Sequence, residues 1–163
     1  MQDEAKLTRR DWILRATSTV GAGLALVAFL PDWSVAMVKP TTITVYKDPS
    51  CGCCTKWVEH LRTSGFAPDV RDRSDMDALK DSLGVPTPLR SCHTAVMGRY
   101  VVEGHVPAAD LTKLLTAAPK SVLGLAAPGM PAGSPGMEMG GRADRYDVIA
   151  FDSKGTTHVF SHH

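Results

Sequence analysis

The first clear alternation in the chain is "TTITVY", Thr41 to Tyr46, whose β-branched and aromatic residues predict a buried strand. "KDPS" breaks it, and Asp48 or Ser50 is placed to cap the next element. From Cys54, apolar side chains recur at Trp57, Val58 and Leu61, the i, i+3, i+4, i+7 spacing of one helix face, and Thr63-Ser64-Gly65 ends that helix. "FAPDVRD" predicts a second strand, and Asp75 to Leu83 a second helix closed by Gly84. Pro86 and Pro88 mark a constrained turn. "SCHTAVM" and "YVVEGHV" predict a hairpin across Gly98-Arg99. Pro107 then opens a helix, "PAADLTKLLTAA", with Leu111, Leu114 and Leu115 facing inward.

The predicted order is β-α-β-α-β-β-α, an α/β fold. With Cys-x-x-Cys at a helix start and a proline turn before the third strand, it resembles the thioredoxin or glutaredoxin layout. That analogy implies no activity by itself. After Pro119 the pattern changes. "GLAAPGMPAGSPGMEMGGR" is rich in Gly, Pro and Met and is expected to hold no regular structure, a linker-like loop over about residues 124–141. A loop of that length within a domain is either functional or disordered. "RYDVIAFDSKGTTHVFSHH" returns to alternation and predicts a terminal β-hairpin turning at Ser153-Lys154-Gly155.

The N-terminus supplies an address. "LTRRDWIL" puts Arg9 and Arg10 before Trp12, Ile13 and Leu14; the apolar "ATSTVGAGLALVAFL", Pro31 and the small-x-small Ser34-Val35-Ala36 come after them. This is the order of an export signal, and the paired arginines indicate the twin-arginine route. The apolar run is short of the roughly twenty residues that span a bilayer; an uncleaved membrane anchor is the competing reading. Residues 1–36 are thus expected to be removed, leaving 37–163 as the mature domain, outside the cytoplasmic membrane and with no stable membrane insertion. A formal charge of +1 offers no electrostatic argument for nucleic acid or an anionic membrane surface.

An oxidising compartment permits disulfides among the four cysteines. Three of them, Cys51, Cys53 and Cys54, fall in four positions, and Cys92 lies further on, with His93 directly after it. Cys53 and Cys54 pair poorly with each other. A pure staple gains little from the tiny Cys51–Cys54 loop. At a helix N-terminus, unpaired N–H groups and the dipole favour thiolate, either as a nucleophile or as a soft metal ligand. The extra Cys53 favours metal, because a third neighbouring thiol offers wrong partners in exchange.

Met130, Met137 and Met139 sit among Gly and Pro, where no core pattern explains them. Thioether with thiolate is the donor set that selects Cu(I); Zn²⁺ gains little from methionine. Met76 and Met97 fall in periodic segments and read as core. His93 and His105 are placed to reach the mouth beside the cysteine helix, where imidazole would help bind Cu(II) as well as Cu(I), or to be hydrogen-bonded structural histidines. Neighbours on a strand face opposite ways, so Cys92 and His93 are not both expected at the site, and Cys92 is favoured. His60 reads as solvated, His158, His162 and His163 as an exposed tail, and the Asp and Glu residues as scattered over solvated faces.

"YKDPSCGCC", "SCHTAVMGRYVVEGHVPAAD" and "GLAAPGMPAGSPGME" together resemble the CopG-type periplasmic copper-resistance proteins, a family with a thioredoxin-like fold. The resemblance runs from about Thr41 to the terminal hairpin. It implies copper binding in a thiolate-bridged multicopper centre completed by methionine and histidine, and suggests a redox role interconverting Cu(I) and Cu(II). Carried over, Cys51, Cys53, Cys54 and Cys92 match the family's cysteines, His93 and His105 its "SCHT" and "EGHVP" motifs, and Met130 and Met137 its "PGMPxGSPGME" stretch; Met139 matches less closely. The implied partners are copper ions, with periplasmic copper carriers or electron donors and acceptors. Two other readings stand beside this one. A thiol–disulfide oxidoreductase would use Cys51 and Cys54, and a structural Zn²⁺ site would use the four cysteines.

Overall fold

The structure, a computed structural model, describes residues 39–138 and 140–163. The export signal expected over residues 1–36, and Met139, lie outside the described residues. β1 (Thr41–Lys47) buries Ile43, Val45 and Lys47 on one side, as its alternation requires. After it, α1 (Gly52–Thr63) buries Cys54, Trp57, Val58 and Leu61. β2 (Phe66–Asp72), α2 (Met76–Ser82), a short 3₁₀ turn at Thr87–Leu89, β3 (His93–Met97) and β4 (Tyr100–Gly104) come next. The hairpin between β3 and β4 turns at Gly98-Arg99, where Gly98 takes φ +59°. α3 (Ala108–Ala117) starts after Pro107 and buries Leu111 and Leu114.

These elements form the predicted thioredoxin-like unit. Strands lie in the order β2-β1-β3-β4, with β1 and β2 parallel and β3 and β4 antiparallel. The sheet continues. β5 (Gly124–Ala127) pairs parallel with β4, and β6 (Asp147–Phe151) and β7 (Thr157–His162) add antiparallel, giving one seven-stranded sheet. α1 and α3 pack with Ile43, Val102 and Leu125 in the main core. Val85, Leu89, Val101, Ala126 and Phe151 form a second cluster, so alternate residues of β4 and β5 enter different cores.

β5 corrects the sequence reading, in which 124–127 belonged to an unstructured loop. Gly-Leu-Ala-Ala lacks the usual strand residues, but the β4–α3–β5 crossover lays it between two strands, where side chains must be small. A Cβ on Gly124 would lie 2.2 Å from the Val101 carbonyl oxygen and 2.6 Å from the Phe151 ring. The irregular connection therefore begins at Pro128. It is folded back on itself: Ser134 is buried, Gly133 N–H donates to Met137 O at 3.0 Å and Asp144 N–H to Ala132 O at 2.9 Å.

The tail histidines are exposed, as the sequence implies, but two of them are paired, and some of the charges differ from expectation. His162 Nδ1 lies 2.6 Å from Asp147 and His163 Nε2 2.7 Å from Asp110, with the His163 ring stacked on Tyr146. Glu103 and Asp110 are buried. His60 is half-buried and its Nε2 accepts the Ala108 N–H at 3.1 Å, tying α1 to the start of α3. No helix among the described residues is long and apolar enough to cross a membrane.

Candidate metal centre

The first turn of α1 carries three of the cysteines. Asp48 does not cap this helix; its carboxylate accepts the Ser50 N–H at 2.8 Å and its carbonyl the Cys51 N–H at 3.0 Å. That tight turn delivers Cys51 to the N-cap position without a side-chain cap, and the first turn contains no acidic residue. The positive end of the helix thus faces sulfur. Cys51 and Cys54 are joined as a disulfide with Cα atoms 5.4 Å apart, and Cys53 and Cys92 are free thiols. Cys53 Sγ lies 3.5 Å from Cys51 Sγ and 3.9 Å from Cys92 Sγ.

Cys92 comes from the other side, at a bend immediately before β3. The bend removes the strand alternation that was expected to turn His93 away. Cys92 Sγ lies 3.3 Å from His93 Nδ1 and 3.2 Å from His105 Nε2. The four sulfurs lie within 4.8 Å of one another, and so do the ligand atoms of Cys92, His93 and His105; Cys92 belongs to both groups. Neither group contains a carboxylate. This donor set, all sulfur on one side and imidazole on the other, fits a soft metal ion.

The electrostatics keep the histidines neutral. His105 Nδ1 lies 2.8 Å from the Pro135 carbonyl, which can only accept, so Nδ1 carries the proton. Burial pulls its pKa below the usual range, leaving Nε2 with a lone pair aimed at Cys92. His93 is fully buried against Trp57 and His105, ring centroids 4.4 Å and 4.9 Å away. Burial, then His105 and Lys80, hold it well below its ordinary pKa. Its Nε2 has no hydrogen-bond partner among the described residues. Burial, reinforced by Cys53, pushes the Cys92 thiol up to about 12. Cys92 therefore keeps its proton at neutral pH unless a cation displaces it.

The Met-rich connection is anchored here. Ser91 Oγ donates to the Gly129 carbonyl, one residue before Met130, and Pro135 meets His105, two residues before Met137. Between them Gly136, at φ +86°, lies so close to α1 that a Cβ would be 2.8 Å from Trp57 N and 2.9 Å from Cys53 O. Met130 is 55% exposed and Met137 half-buried. Trp57, Ser91, Glu103, Pro135 and Gly136 were not singled out from the sequence as site residues. Only Glu103 left a signal there, a charge inside the apolar alternation "YVVEGHV".

The fold finds counterparts in two solved structures, "Copper resistance protein copG" Form 2 and Form 1. They share 45% and 46% identity with this chain at TM-scores of 0.73 and 0.72, each covering 76% of this chain and 98% of theirs. The chain belongs to the CopG copper resistance protein family. Residues 89–137 of this CopG-family chain also match a family described as "Protein of unknown function, DUF411". That segment contains Cys92, His93 and His105, the part of the sulfur and imidazole cluster outside α1, and also Met130 and Met137. No curated protein matches the chain.

Proposed function

We propose that the protein is an exported copper-binding protein of copper resistance, holding Cu(I) on Cys51, Cys53, Cys54 and Cys92 in a thiolate-bridged multicopper centre. His93, His105, Met130, Met137 and Met139 complete the ligand set. In the same reading the site interconverts Cu(I) and Cu(II), passing one electron per copper to or from a periplasmic donor or acceptor, or hands copper to a carrier. The observation that carries it is the convergence of four sulfurs within 4.8 Å, shared through Cys92 with two neutral imidazoles. The copper resistance proteins of like sequence support the choice of metal, and the twin-arginine pattern at Arg9-Arg10 supports export to the periplasm. Four-cysteine binding requires two-electron reduction of the Cys51–Cys54 disulfide by a thiol reductant, which releases two thiols for deprotonation. The test is metal per chain after anaerobic loading of reduced protein. Tight copper that is lost on Cys-to-Ser replacement is expected; no tight copper, or equal loading of those variants, contradicts the proposal.

One observation favours a second reading. The disulfide at the α1 N-terminus is the arrangement of a thiol–disulfide oxidoreductase. That activity would appear as insulin reduction by metal-free protein, lost on Cys54→Ser and indifferent to changes at Met130 and Met137.

A further inference from the structure

Beneath the Cys92 bend lies a buried ion pair that none of the ligand assignments uses. Lys80 of α2 is paired with Glu103 of β4, side chains 4% and 0% exposed. Lys80 Nζ also donates to Thr94 Oγ1 at 2.9 Å, and Thr94 Oγ1 donates to the second Glu103 oxygen at 2.6 Å. The Ser91 N–H donates to the first Glu103 oxygen at 2.6 Å. Each partner adjoins the site: Ser91 precedes Cys92, Thr94 comes directly after His93, and Glu103 stands two residues before His105.

We propose that Glu103, held by Lys80, is the positioning residue that fixes the Cys92 bend and aligns His93 and His105 with it, and so sets how tightly the site holds a soft metal ion. The inference rests on the copper-holding reading above. A buried ion pair is a poor device for stability alone, since well-packed apolar residues commonly do as well. What an apolar pair cannot do is accept the Ser91 N–H and the Thr94 hydroxyl together. Outer groups that orient metal ligands typically change affinity by about 10- to 100-fold when removed. The Ser91 hydroxyl bonded to Gly129 extends the same brace to the root of the Met-rich connection.

The test uses reduced protein carrying the paired change Lys80→Met with Glu103→Leu, which leaves no unpaired buried charge and no acceptor for the Ser91 N–H, beside Thr94→Val and a control, Phe151→Leu, in the separate apolar cluster. Two quantities are read: the rate of Cys92 alkylation without metal, by peptide mass spectrometry, and Cu(I) affinity by competition with a chromogenic chelator. The paired variant is expected to alkylate several-fold faster and to lose about 10- to 100-fold in affinity, Thr94→Val to show a smaller change in the same direction, and the control to keep wild-type values. Wild-type alkylation and affinity in both network variants, or an equal loss in the control, overturns the proposal. Should the paired variant not fold, Thr94→Val decides. If wild-type protein itself binds no copper tightly, the copper reading fails, while the alkylation rates still judge the positioning role.

Discussion

Nε2 of His105 lies 3.2 Å from the Cys92 sulfur while Nδ1 of the same ring is held by Pro135. One imidazole thus joins the Cys92 bend, the end of β4 and the Met-rich connection, and its tautomer is fixed by a carbonyl. Cys92 is the only residue in both ligand groups among the described residues. Cys92→Ser is therefore expected to lower Cu(I) affinity more than His105→Ala does, each by at least about 10-fold, measured by chelator competition under anaerobic conditions.

The contact of Gly136 with α1 makes a structural prediction. Gly136→Ala forces a side chain against Trp57 N and Cys53 O at a positive φ, and is expected to cost about 1–3 kcal/mol and to weaken copper binding by lifting the Met137 segment. Gly141→Ala, with nothing within 4 Å of the added carbon, is expected to be neutral. Denaturant unfolding of the two variants checks this.

His60, His93 and His105 are all held below the ordinary histidine pKa of 6.5, by burial first. The unfolded chain takes up protons near pH 6.5 that the folded chain refuses. Stability of the metal-free protein is therefore fully present above about pH 6.5 and is lost as pH falls below it, with a slope approaching about 1.4 kcal/mol per pH unit for fully buried His93. Glu103, pushed up by burial, acts with the opposite sign. Denaturant unfolding between pH 8 and 5.5 measures the slope, and His60→Gln, which keeps an acceptor for Ala108 N–H, is expected to flatten it.

Much of the fold was legible because local pattern and tertiary structure agree. β2 lies where "FAPDVRD" predicts it, and Trp57, Val58 and Leu61 line the buried face that their spacing implies. β5 was illegible because its residues are chosen by neighbours distant in sequence, Val101 and Phe151, and not by strand propensity. Gly124→Ala is accordingly expected to destabilise by about 1–3 kcal/mol or more through overpacking, seen as a lowered Tm.

Within the site, the cysteine motif was readable and Cys92 and His105 were expected beside it, whereas the approach of His93 together with Cys92 was not. Cys-Gly-Cys-Cys advertises itself. His93 joins Cys92 only because the chain bends just before β3, and Glu103 braces that bend only because β4 pairs it opposite Thr94. Such relationships depend on register between strands, which composition and periodicity do not reveal.

The most direct test of the central claim is X-ray absorption at the copper edge on reduced, anaerobically loaded protein. The account predicts a Cu(I) edge, a first shell dominated by sulfur with a nitrogen contribution, and a short copper–copper distance. A shell of nitrogen and oxygen alone would contradict it.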